Sequence, residues 1–158
     1  RGLVIDLFGE VEIPGGVIID GEIKREADLV SILKGGLGGS DGRRVGERYC
    51  VVSLPEEKSF VRVLELPKVS GEDLKRAVRW EVEGTVPVPF TDLTYDYATV
   101  PPGISRAVDH ADVLLTAFPR ETIESYHRAI SQAGFTPLAL ELESQAITRA
   151  VVVFFCNG

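Results

Sequence analysis

Apolar residues recur along this chain in two periods, every second position and every third to fourth, and the alternation of the two predicts a mixed order of strands and helices. Leu3 to Phe8 and Val11 to Ile13 are short β-prone runs, followed by a turn at Pro14-Gly15-Gly16 and a third run, Val17 to Ile19. Asp20-Gly21 has the chemistry of a hairpin turn. Leu29, Ile32 and Leu33 then fall on one face of a helix expected from about Glu26 to Lys34, which the glycine-rich run Gly35 to Gly42 ends as a flexible loop. Arg48 to Leu54 and Phe60 to Leu66 read as two strands of a β-hairpin joined by the polar turn Pro55 to Ser59.

Ser70, with Glu72 and Asp73 behind it, resembles a capping box, and Leu74, Ala77, Val78 and Val82 continue as one face of a helix from about Gly71 to Gly84. Pro87 and Pro89 stop it, because proline lacks the N–H that a helix needs. Leu93 to Val100 alternates as a half-exposed antiparallel strand, and Pro101 to Val108 is a polar loop. Ala111 to Phe118 is almost continuously apolar, the signature of a central strand. Pro119 opens the next helix, with Ile123, Tyr126, Ile130 and Ala133 on its inner face and Gly134 as its C-cap. Phe135 to Leu142 is a strand, and Ser144 begins a last helix whose apolar end, Val151 to Phe155, calls for a cover. This order predicts an α/β or α+β domain with a smaller inserted unit at about Phe60 to Phe118.

Composition narrows the class. At 158 residues the chain is large enough for one core, and its 44% apolar and 26% charged residues are ordinary globular usage. The longest apolar runs fall short of the ~20 residues that span a bilayer, and no basic-apolar leader pattern is present, which makes the cytoplasm the default compartment. A net charge of -7 argues against a nucleic-acid surface, since phosphate binding needs clustered cations. Cys50 and Cys156 lack the spacing of a zinc site and are expected to be buried free thiols. The chain has no methionine and opens on Arg1-Gly2 directly before a strand-like run, which predicts a piece of a longer protein.

Catalytic signatures are absent from the sequence. No G-x-x-x-x-G-K-[ST], G-x-S-x-G or H-E-x-x-H pattern occurs, and Gly35 to Gly39 follows a helix where a phosphate loop would precede one. His110 and His127 are expected at the surface. Glu81 and Glu83 point to different helix faces, which favours pairing with Arg79 over joint acid-base work. The stretch Arg76 to Phe90 differs in kind. It carries the one tryptophan, charges on both sides and a proline-locked helix end. Packing of Trp80 on the sheet is the commoner arrangement and the expectation here. Beside it stands an interface reading, in which Arg79, Trp80, Glu83, Pro87 and Pro89 contact a partner.

Several segments form an ordered pattern: Ile13-Pro14-Gly15-Gly16-Val17-Ile18 to Asp20-Gly21-Glu22-Ile23, Val51-Val52-Ser53-Leu54-Pro55, Arg62-Val63-Leu64-Glu65-Leu66-Pro67, Arg79-Trp80-Glu81-Val82-Glu83 and Val86-Pro87-Val88-Pro89. Asp96-Tyr97, Asp112-Val113-Leu114-Leu115 and Gly134-Phe135 to Leu142-Glu143-Ser144 continue it. Together they resemble the PilM and competence-protein family of type IV pilus assembly, relatives of the actin-like division protein FtsA.

The resemblance implies an actin-like, ribonuclease H-like α/β fold: a subdomain 1A fragment interrupted by a 1C-type strand-helix-strand-strand insert. The corresponding division is 1–48 and 119–158 for subdomain 1A and 49–118 for the insert. It implies that ATP and magnesium belong to full-length members through loops outside these residues, so no catalytic, cofactor or metal residue is assigned here, Asp6 included, and the chain is expected to be no enzyme. It also implies a partner, the cytoplasmic N-terminal peptide of a PilN-like inner-membrane protein, held between 1A and 1C, with the chain peripheral to that membrane and not inserted in it. A type II secretion (GspL-like) scaffold, an FtsA-like division scaffold and an actin-like ATPase with its site elsewhere are the alternatives. An open strand edge beside Leu3 to Phe8 predicts self-association.

Overall fold

The computed structural model describes residues 8–36, 46, 48–101, 104–105 and 108–156, with side chains as far as residue 151. Leu3 to Asp6, most of the glycine loop and the end of the last helix's apolar face lie outside the described residues, as does the Cys156 side chain. The chain forms two compact units, 1–57 with 122–158 and 58–121.

In the first unit, β1 (Ile18–Ile19) and β2 (Glu22–Ile23) form the hairpin that Asp20-Gly21 predicts. Both turn residues have positive φ, 49° and 74°, as a tight turn matched to strand twist requires. Helix α1 (Glu26–Gly36) starts with Glu26 and Asp28 in its first turn and carries Lys34 in its last, both favourable to the helix dipole. It runs two residues beyond the predicted end, through Gly35 and Gly36. A Cβ on Gly36 would stand 2.5 Å from Val11 Cγ2, so glycine lets the preceding segment lie against the helix. Val11 to Ile13 is not a strand: it has no ladder partner among the described residues and runs as irregular chain.

The core of this unit gathers Val17, Leu29, Val30 and Ala129, the last from α3 (Arg120–Gln132). The Tyr126 hydroxyl of the same helix donates to the Gly21 carbonyl at 3.1 Å and ties helix to hairpin. Arg128 forks onto the Glu26 carboxylate, with Nη2 2.8 Å from Oε2, and holds that carboxyl below its usual range. Gly134, at φ 99°, closes α3 as predicted.

The expected hairpin of Arg48–Leu54 with Phe60–Leu66 does not form. β3 (Tyr49–Leu54) pairs in parallel with β7 (Thr136–Leu142), and the connecting residues Glu56–Lys58 wind into one 3-10 turn. A hairpin is the local reading of two adjacent strands, whereas a parallel partner lies far away in sequence and is invisible to local pattern. The strand placed at the head of the insert thus joins its ladder to the segment beyond the insert. Leu54 and Leu142, paired at the end of this ladder, are fully buried. Helix α4 (Glu143–Cys156) follows directly, and the Glu56 carboxylate accepts the Ser144 N–H at 3.0 Å. Hydrogen bonding from Ser144, its hydroxyl first and its N–H second, lowers the Glu56 pKa.

The second unit is a three-stranded antiparallel sheet in the order β4 (Phe60–Pro67), β6 (His110–Pro119), β5 (Leu93–Thr99), with β6 central as its apolar run predicts. Helix α2 (Glu72–Thr85) covers one face through Val78 and Val82, which meet Leu64, Leu66, Val113 and Leu115. Its N-cap is Gly71, at φ 59° and ψ -128°, without a side-chain cap bond. That backbone belongs to glycine and moves the helix start one residue on, so Ser70 stands too early to serve as the expected cap. Arg120 donates from Nη2 to the Leu93 carbonyl at 2.7 Å and from Nε to the Thr91 carbonyl at 3.1 Å, locking the start of β5.

Candidate functional site

A sheet of three strands in which the middle one is β6 leaves β4 with a free side inside its own unit. Beside that edge, where α2 ends and the chain turns at Val86-Pro87, lies a groove of 350 Å³ lined by Ser59, Phe60, Val61, Arg62, Thr85, Val86, Pro87 and Leu115. The α2 C-terminus shapes one wall: Val86 is extended, at φ -87° and ψ 123°, and its N–H still bonds the Val82 carbonyl at 3.1 Å. Pro87 then forbids continuation, which keeps the wall away from the strand. The groove is mostly apolar, with one cation. Arg62 lies on the α2-facing side of β4, in register with Leu115, and has no ion-pair partner among the described residues.

The five sequence candidates separate here. Pro87 lines the groove. Pro89 precedes a 3-10 turn, Phe90–Asp92, whose Asp92 N–H bonds the Pro89 carbonyl at 2.8 Å. Arg79 donates from Nε to the Glu83 carboxylate at 2.9 Å, and its guanidinium carbon lies 4.6 Å from the Phe90 ring centroid. These two therefore brace the helix end. Trp80 corrects the expectation of core packing: it is 79% exposed. Val78 and Val82 take the sheet-facing positions, and the residue midway between them along the helix must point away.

Every groove residue but Pro87 was missed by the sequence reading: Ser59, Phe60, Val61, Arg62, Thr85, Val86 and Leu115. Arg62 carried a signal, since it interrupts an alternating apolar face at the position before Leu64 and Leu66. Among other candidates, Cys50 is a free, half-buried thiol whose pKa burial pushes up, the opposite of an activated nucleophile. His127 is exposed. His110 is half-buried, with Nδ1 2.8 Å from Asp109 and Nε2 3.2 Å from Asp112, and the Asp109 bond raises its pKa. Among the described residues no group of three or more His, Cys, Asp and Glu side chains converges as a metal ion held by protein ligands alone would need.

Sheet order, insert and parallel ladder define a class, the actin-like α/β proteins interrupted by a strand-helix-strand-strand unit. The profile of the family described as type IV pilus assembly protein PilM matches residues 1–157, and this chain belongs to that family. A solved PilM-PilN type IV pilus biogenesis complex contains a chain that superposes with a TM-score of 0.72 at 26% identity, over 84% of the present chain and 38% of its own length. The present chain thus spans well under half of that relative. The cytoplasmic domain of EpsL, an inner-membrane component of the type II secretion system of Vibrio cholerae, aligns with a TM-score of 0.47 at 16% identity, over 76% of this chain and 43% of that one. Among the described residues no helix is long and apolar enough to cross a membrane.

Proposed function

We propose that this chain is part of a type IV pilus assembly adaptor that docks the N-terminal peptide of a PilN-like inner-membrane protein and is thereby held at the cytoplasmic side of that membrane. One observation carries the reading: among the described residues the edge of β4 away from β6 has no ladder partner and lies beside an apolar groove whose one cation, Arg62, has no ion-pair partner. An extended peptide recognised by strand addition needs these two things, a row of free backbone groups for affinity and neighbouring pockets for side chains. Membership of the PilM family and the likeness to a chain of a PilM-PilN complex support the same partner. In this reading the chain contributes binding and not catalysis, and it requires no nucleotide. The secretion and division scaffolds remain the competing readings, and the family match favours pilus assembly.

Calorimetry of the chain with the synthetic N-terminal peptide of a PilN-like protein, against a scrambled peptide, tests the proposal. Saturable binding of the true peptide alone, weakened by Arg62→Ala and by Val86→Asn, is the expected result. Equal binding of both peptides, or none by a chain with intact circular dichroism, would sink it.

A further inference from the structure

The sheet of the second unit has two faces, and α2 covers only one. In the observed register, Val61 opposes Thr116, Val63 opposes Leu114 and Glu65 opposes Asp112, while Leu114 and Thr116 oppose Ala98 and Asp96 of β5. Side chains directly opposite one another share a face, so these eight residues lie together on the side away from α2. Val61 and Val63 are 48% and 55% exposed, Ala98 is exposed and Leu114 half-buried. β4 and β6 therefore carry apolar residues on both faces, the pattern of strands that are covered on both sides.

Charge says what would cover the second face. Glu65 and Asp96 border the apolar patch with exposed carboxylates, whereas Asp112 is already engaged, accepting the Ser105 hydroxyl at 2.6 Å and lying 3.2 Å from His110 Nε2; none of the eight residues is Lys or Arg. His110 shares the face at its end and offsets part of this charge when protonated. From Val61 to Glu65 the patch runs about 13 Å along the strands and about 10 Å across three of them, which matches two to three turns of one helix. Carboxylates at the border repel phosphate, which excludes nucleic acid and anionic lipid as occupants.

We infer that the outer face of the β4-β6-β5 sheet is a second docking surface, for a short amphipathic helix of a partner protein with an apolar face and flanking Lys or Arg. It mirrors α2, with Val61, Val63, Ala98 and Leu114 meeting the apolar face and the exposed carboxylates of Glu65 and Asp96 meeting the cations. The surface adjoins the groove beside Arg62 at Val61, which lines both, while Val63, Glu65, Ala98 and Leu114 belong to the outer face alone.

Three designed peptides probe it by amide chemical shifts and calorimetry on the 158-residue chain: a Leu/Lys amphipathic helix, its Leu/Glu analogue, and a Ser/Lys peptide of equal charge. The Leu/Lys helix alone is expected to bind, shifting the amides of Val61, Val63, Glu65, Ala98 and Leu114 and weakening as salt rises. Val61→Ser/Val63→Ser is expected to weaken it about tenfold, from the apolar area removed, and Glu65→Lys a few-fold. Both substitutions are at exposed positions, and unchanged thermal melts verify the fold. Equal binding by the Leu/Glu or Ser/Lys peptide, shifts confined to Ser59, Arg62, Thr85 and Val86, or binding of the unmodified chain to anionic vesicles would overturn the assignment. So would a double variant that binds as well as the parent.

Discussion

The Arg79 guanidinium stacks over the Phe90 ring, 4.6 Å from its centroid, while its Nε holds the Glu83 carboxylate at 2.9 Å. One side chain thus links the last turn of α2 to the 3-10 turn that follows the prolines, across the segment that forms the groove wall. Arg79→Ala is expected to cost about 1 kcal/mol, the sum of an exposed cation–π contact and an i,i+4 ion pair. Arg79→Lys keeps the charge but loses the planar stack and recovers only part of this. Urea denaturation of both variants measures it, and a loss within error for Arg79→Ala would mean the stack does not form in solution.

Trp80 is the chain's one tryptophan and lies on the solvent side of α2, 79% exposed. Its fluorescence should resemble indole in water, long in wavelength and readily quenched by iodide. Trp80→Ala is expected to change stability by no more than about 0.5 kcal/mol, the range of surface substitutions. A short-wavelength, unquenched emission would return Trp80 to a covered site.

In the other unit, Tyr126 ties α3 to the β1-β2 turn through one bond, from its hydroxyl to the Gly21 carbonyl. Burial, and secondarily the Glu57 charge, raises the Tyr126 pKa, so the phenol remains a donor throughout the neutral range. Tyr126→Phe keeps the ring and removes the donor, leaving the carbonyl of a buried glycine without that partner. The expected cost is about 1 kcal/mol in thermal or chemical denaturation.

His110 gives the second unit a pH dependence. Its pKa is raised, first by the bond to Asp109 and then by the charges of Glu65, Asp112 and Asp109, with burial opposing. A raised folded pKa means that the stabilisation is fully present below the unfolded value of about 6.5 and is lost as pH rises through the folded one. Stability difference between the parent and His110→Gln, followed from pH 5 to 9, should therefore shrink as pH rises. A difference that grows with pH would reverse the assignment.

Much of the fold was legible in local pattern because each cue acts within a few residues. The period-3.6 runs located α1, α2 and α3, Asp20-Gly21 located a turn with two positive φ values, and the unbroken apolar run of Ala111 to Phe118 located the central strand. Segments resembling one family, read in order, also pointed to the membership that the profile match shows over residues 1–157. The five candidate residues were chosen by residue type at one helix end, and of these only Pro87 lines the groove.

What the tertiary structure alone decided are the relations between distant segments. Whether Tyr49–Leu54 pairs with its neighbour or with Thr136–Leu142 depends on which long-range ladder buries Leu54 and Leu142, and no local period encodes that choice. Trp80 faces water because Val78 and Val82 take the sheet-facing positions of α2, a matter of helix rotation and not of hydrophobicity. The groove exists because β6 lies between β4 and β5, which leaves the β4 edge without a ladder partner among the described residues, and strand order is a property of the assembled sheet. Residue chemistry and short-range periodicity are written along the chain; partners and faces arise only when its distant parts meet.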